Sequence, residues 1–240
     1  MKPGKKHRLI RYAWLAAFLL LAILFIAKFG GPSILRLYVK AGIGDCRKIP
    51  ILCLAPREEI TNPDISKDYI SELLPYKFPK MVIYVPRGFT VSQERIKKVY
   101  YKKRKDKGAV IYLLYEEPNF FVKLFPQLNK QGIRDDYEFI KRTMYADLNS
   151  IKNLTDTFFV IMKSLFTPDV GNQNTLKMVK FTLAQKRGFI NYNLSQSGNY
   201  FDCNVIADNG DFFKIYIKDT QATLDLDKVL AIISTAGRVK

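Results

Sequence analysis

Residues 200–219 read YFDCNVIADNGDFFKIYIKD. Phe201, Cys203 and Val205 fall on one side of an extended chain, and Phe213, Ile215 and Ile217 on one side of the next, the period of two that a half-buried strand requires. Between the two runs, Asp208-Asn209-Gly210 is the strongest turn signal in the sequence, because Asn and Gly both accept positive φ at low cost. The stretch predicts a hairpin. The same texture extends backwards through TLKMVKFTLA from Thr175 and GFINYNL from Gly188, with breaks expected at Lys186-Arg187-Gly188 and at Ser195 to Asn199. Ile190, Tyr192 and Leu194 alternate in the second of these, so residues 175–219 read as a four-stranded antiparallel meander. Cys203 is a small buried hydrophobe in this reading.

Working outward from the meander, MVIYV at 81–85 lies between Pro79 and Pro86 and reads as a buried strand. IKKVYYKK (96–103) and AVIYLLYEE (109–117) flank the polar stretch Arg104–Gly108 and predict a second hairpin. The period then changes: Ile133, Tyr137, Ile140, Met144, Leu148 and Ile151 recur at three and four, with Asp135 and Asp136 suited to a helix start. A second helix, Thr155 to Phe166, is apolar on most faces and is expected to be central and buried. A closing helix carries Leu226, Val229, Leu230 and Ile233 on one stripe, with Gly237 beyond it. These elements predict an α+β domain over 78–240, with one antiparallel sheet of about six or seven strands packed against helices.

The chain has 240 residues and is 48% hydrophobic, enough for a sizeable core. Net charge is +17, and residues 1–40 hold eight of the 39 Lys and Arg but none of the 22 Asp and Glu. Within that end, Tyr12 to Ala27 is an uncharged stretch that would span about 24 Å as a helix. Arg11 and Lys28 bound it and can extend to the headgroups. Lys2, Lys5, Lys6, Arg8 and Arg11 precede it, a bias that keeps the N-terminus cytoplasmic. The expectation is a basic N-terminus (1–11), a single-pass transmembrane anchor (12–31), a stalk (32–77) and an extracytoplasmic domain (78–240). The residues following the apolar run fit a cleavage site poorly, which favours a retained anchor over a removed signal. Gly42, Gly44, Pro50, Pro56, Pro63 and Pro75 mark the stalk as linker. Ile34 to Val39 reads either as a short interfacial helix with Leu35 and Leu37 facing lipid, or as an ordinary turn.

On the oxidising side of a membrane, Cys46 and Cys53 in CRKIPILC would close a short loop as a disulfide. Two buried thiols are the alternative. A metal site would need two further ligands, and the single His, His7, lies before the apolar run. No metal, cofactor or catalytic residue is therefore assigned. Without a His in the body, the commonest general base is missing. The sequence also has no glycine-rich phosphate loop and no nucleophile elbow. The pairs Glu116-Glu117, Asp135-Asp136 and Asp225 with Asp227 suit helix starts and strand edges better than acid–base chemistry.

The pointed feature of the body is Arg95, Lys97, Lys98, Lys102, Lys103, Arg104, Lys105 and Lys107, interleaved with Tyr100 and Tyr101. Such a patch suits an anionic surface or an acidic partner, while Lys on an edge hairpin also protects against sheet-to-sheet aggregation. Phe120 and Phe121, in NFFVKLFPQL, read as a membrane or partner contact or as core. The functional expectation is a membrane-anchored, non-catalytic binding or accessory domain within an envelope or membrane assembly. Its competitors are a tethered carboxylate-based enzyme acting on envelope material and a cytoplasm-facing binder of acidic partners or nucleic acid. The charge bias across the apolar run argues against nucleic acid.

Overall fold

The computed structural model describes residues 30–78, 80–87, 90–96, 99–103, 110–167, 175–195 and 198–239, with backbone alone for the strands at 90–96 and 99–103. In chain order the first elements are α1 (Gly31–Gly42), β1 (Glu58–Thr61), α2 (Lys67–Glu72), β2 (Leu74–Lys77), β3 (Met81–Val85), β4 (Thr90–Ile96), β5 (Val99–Lys103) and β6 (Val110–Glu116). They are followed by α3 (Phe120–Leu124), α4 (Asp136–Tyr145), α5 (Leu154–Phe166), β7 (Lys177–Leu183), β8 (Lys186–Ser195), β9 (Gly198–Ala207), β10 (Phe212–Asp219), α6 (Leu226–Thr235) and β11 (Gly237–Arg238). Short 3-10 turns at Pro50–Cys53, Pro126–Gln131 and Leu148–Ser150 join them.

The fold is mixed α+β. The central sheet runs β1-β7-β8-β9-β10-β6 and continues to β5 and β4, eight strands in all, while β11-β3-β2 form a separate three-stranded sheet. The meander is present from β7 to β10, and its last turn holds Gly210 at φ +86°, where glycine carries no steric penalty. Every pairing in the central sheet is antiparallel except one: β1 runs parallel to β7, with Glu58 opposite Val179 and Ile60 opposite Phe181.

Both faces of the sheet are covered, which explains why β9 is buried along nearly its whole length. Phe201, Cys203, Val205, Phe213, Ile215, Ile217, Ile111 and Leu113 face one core, closed by β3 through Met81, Ile83 and Val85 and by α6 through Val229, Leu230 and Ile233. The opposite face offers Met178, Phe189, Ile206 and Phe212 to a helical layer carrying Phe139, Ile140, Met144, Phe159 and Val160. Each fully buried side chain of this size contributes about 1.5–3 kcal/mol, so the two cores hold the layers together. Side-chain caps set the helix starts: Asp135 accepts from the Glu138 N–H at 2.8 Å, Asn153 from Asp156 at 2.9 Å and Asp225 from Lys228 at 2.9 Å.

Three expectations are corrected. The 32–77 segment is not a free stalk: Val39, Ile51, Leu52 and Leu73 are core residues, and β1 and β2 are sheet strands. Lys186, Arg187 and Gly188 are not a turn but the start of β8, the turn falling at Ala184-Gln185. A Cβ on Gly188 would lie 1.9 Å from the Asn204 carbonyl oxygen, so this glycine is there for a close backbone approach. Finally, α5 is not enclosed, because Leu154 and Leu165 point to solvent while Phe159 and Val160 face the core. Among the described residues no helix is long and apolar enough to cross a membrane. The expected anchor lies outside the described residues except for Gly30 and Gly31.

Candidate functional site

The corner where the described chain begins is built from α1, the Cys46–Cys53 loop and the facing ends of α4 and α5. Pro32 in the first turn suits a helix start, since a ring nitrogen there costs no hydrogen bond. After α1 the chain reverses around Asp45, whose carboxylate accepts from the Arg47 and Lys48 N–H groups at 3.0 and 3.2 Å. These bonds hold that carboxyl below its usual range. Pro50 then opens the 3-10 turn that carries Cys53 back to Cys46; the two are joined in a disulfide with a Cα–Cα distance of 5.7 Å. The Asn149 side-chain amide lies 3.3 Å from the Cys53 sulfur.

Two cations brace this corner from inside. Lys163 of α5 is fully buried and donates to the Leu54 carbonyl and, at 2.6 Å, to the Ala146 carbonyl, tying the end of the disulfide loop to the end of α4. Burial lowers its ammonium to about 7, with Asp147 pulling weakly the other way. Arg36 of α1 donates from Nη2 to the Ile151 carbonyl at 3.2 Å, just before α5. α1 is therefore attached to the domain by side chains on its own body.

The helix has a second side. Leu35 and Val39 pack into the helical-layer core. Ile34, Leu37 and Tyr38 point away from it, 59%, 64% and 70% exposed. Packing thus reverses part of the lipid-facing expectation: Leu35 belongs to the domain, and Leu37 stays outside with Ile34 and Tyr38.

The remaining candidates divide. Phe121 is core: it stacks on Phe139 at 4.8 Å between ring centres and meets Phe166 and Phe212 edge-on, each at 5.1 Å. It is not available for a membrane or partner contact, because the helical layer closes over it. Phe120 packs half-buried against the same core. Of the basic cluster, Arg95 falls on β4 and Lys102 and Lys103 on β5, the latter two opposite Ile111 and Val110 of β6. Lys97, Lys98, Arg104, Lys105 and Lys107 lie outside the described residues.

A polar centre escaped the sequence reading. On the helix-facing side of the sheet, Asn191, Asp202, Asn204 and Lys214 come together from β8, β9 and β10. Lys214 Nζ lies 2.6 Å from Asp202 Oδ1, 3.0 Å from Asn204 Oδ1 and 2.5 Å from the Phe166 carbonyl. Asn191 donates to Asp202 Oδ2 at 3.2 Å. Burial raises the Asp202 carboxyl, and Lys214 opposes that rise. Asn191 Oδ1 and Asn204 Nδ2 are buried without a hydrogen-bond partner among the described residues. The alternation of polar positions in INYN and FDCN was a signal, but it reads as a solvent-facing side until a helical layer is known to cover it.

Other buried carboxylates brace backbone. Asp136 accepts from the Phe120, Phe121 and Val122 N–H groups at 2.8, 2.9 and 3.3 Å. Asp219 accepts from the Gln221, Thr223 and Leu224 N–H groups at 3.1, 2.6 and 2.7 Å, and Asp211 from the Tyr115 hydroxyl at 2.8 Å. A cleft of about 300 Å³ between α4 and α5 is lined by Arg142, Tyr145, Asp147, Asp156 and Phe159. Its charges are partly matched, with Arg142 3.5 Å from Asp156. Among the described residues no group of three or more His, Cys, Asp or Glu side chains could hold a metal ion. The chain matches no protein-family model, and no curated protein is similar to it.

Proposed function

We propose that the chain is a single-pass membrane protein with its N-terminus in the cytoplasm and an extracytoplasmic domain that binds a component of a membrane or envelope assembly without catalysing a reaction. The carrying observation is the Cys46–Cys53 disulfide, which closes the loop directly after α1, the first helix that follows the uncharged 12–27 stretch. A disulfide persists where thiols oxidise, and the Lys and Arg before the apolar run stay on the opposite side. The use of Asp136, Asp211 and Asp219 as backbone and hydroxyl acceptors, and of Asp202 as an ion-pair partner, supports binding over carboxylate catalysis.

The test is alkylation of the membrane-isolated, denatured protein without reduction, together with an export-dependent reporter fused after Lys240. One reactive thiol, Cys203, and an active reporter are the expected results. Three reactive thiols with a silent reporter would place the domain in the cytoplasm and remove this reading.

A further inference from the structure

We propose that the outer side of α1 lies in the lipid interface and fixes how the domain sits on the bilayer. The inference rests on the membrane-anchor reading above and adds a surface, its occupant and an orientation.

Successive residues of a helix turn by about 100°, so Ile34, Leu37, Tyr38 and Ala41 occupy one arc about 100° wide. All four are exposed. Leu35 and Val39 sit on the adjoining side and are held by the helical-layer core. Arg36 and Lys40, one turn apart, make the third side; Lys40 is exposed, and Arg36 is bonded to the Ile151 carbonyl. A helix with one side fixed to protein, one side apolar and open, and a cation at their margin is arranged for a boundary between hydrocarbon and headgroups.

The occupant follows from the chain outside the described residues. Tyr12 to Ala27 carries no charge, and Lys28 ends that run three positions before α1 begins. Only Phe29 and Gly30 separate Lys28 from the first residue of α1, so the link between the uncharged run and the helix has almost no reach, at most about 3.5 Å per residue. Anchoring 12–27 therefore places α1 at the interface, and the side not packed on the domain is the side left for lipid. Since Leu35, Val39 and Arg36 attach α1 to the domain, lipid contact at Leu37 and Tyr38 sets the orientation of the whole sheet.

The experiment uses the full chain in vesicles of phosphatidylcholine with a minority of phosphatidylglycerol, with and without brominated acyl chains. Leu37→Cys and Lys40→Cys are each labelled with an environment-sensitive fluorophore; the paired Cys46 and Cys53 and the buried Cys203 leave the new thiol as the reactive one. Trp14, the single tryptophan, reports the anchor independently. The expected result is that brominated lipid quenches Trp14 and the label at 37, the latter with a blue-shifted emission, but leaves the label at 40 bright. If Trp14 is quenched and the label at 37 behaves as in water, the interface proposal is overturned and the anchor stands. A label at 37 that is blue-shifted but untouched by brominated lipid means that protein covers the helix, which also overturns it. Equal quenching at 37 and 40 removes the assigned orientation. An unquenched Trp14 overturns the anchor reading and this inference together.

Discussion

Lys163 is the residue whose position most needs explaining, a cation with no exposed surface in a helix rich in apolar residues. Its two carbonyl acceptors belong to separate segments, the tail of the disulfide loop and the end of α4, so the ammonium bridges them. The folded ammonium titrates at about 7, and an unfolded lysine near 10.5. Between those values the unfolded chain binds more protons, so raising the pH through that window stabilises the fold, by at most about 1.4 kcal/mol per pH unit. Replacing Lys163 with Met should flatten this part of the pH–stability curve, measured by urea unfolding from pH 7 to 10. A variant curve as steep as the parent's would locate the proton elsewhere. The Asp202–Lys214 pair makes a second residue-level prediction. Lys214→Met strands a fully buried carboxyl and should cost about 3–5 kcal/mol, whereas changing both to apolar residues should cost less than the two single changes added. A double-mutant cycle in urea reads the difference.

At the level of elements, two local devices decide whether neighbours dock. Asp136, in the first turn of α4, fastens three N–H groups at the start of α3, so Asp136→Ala leaves them without that acceptor and should cost about 1–3 kcal/mol. Amide exchange should rise at Phe120 to Val122 before it rises in β9. In β8, Gly188→Ala drives a methyl into the Asn204 carbonyl and should destabilise by about 1–3 kcal/mol or more, read as a lower unfolding midpoint. The same glycine shows where sequence reading stopped. As punctuation, Lys186-Arg187-Gly188 looks like a turn, and only the neighbouring strand reveals that a side chain has no room there. The β9–β10 hairpin and the helix starts at Asp135 and Asp225 were legible because their signals are local. β1 was not: its four residues pair with a strand about 120 positions later, and no local pattern encodes that contact. α1 was half legible. Leu35 and Leu37 are chemically the same residue, and only packing assigns one to the domain and the other to the outside. The Asp202 centre stayed hidden for the reason opposite to β1, since its residues showed the right alternation but the covering layer was unknown.

Across the whole molecule, the corner around α1 and the meander differ in how they are secured. The corner depends on a covalent link, the buried Lys163, the half-buried Arg36 and a short helix, while the meander depends on long paired strands and two cores. Reducing the disulfide frees a loop of eight residues and should lower stability by about 2.5 kcal/mol in the chain-entropy account. Exchange should then increase first in α1 and the Pro50–Cys53 turn, with β8 and β9 unchanged. A uniform increase would mean that corner and meander unfold together. The lone parallel strand has a practical corollary. β1 borders the sheet beside β7, and Lys180 holds Glu59 at 2.7 Å across that border. A recombinant fragment cut at residue 78, where the sequence alone suggests the globular part starts, would strip this border and leave β7 with unpaired backbone amides and carbonyls. Such a fragment would be prone to self-association in the test tube, so soluble versions for biochemistry should begin at Gly31 or earlier.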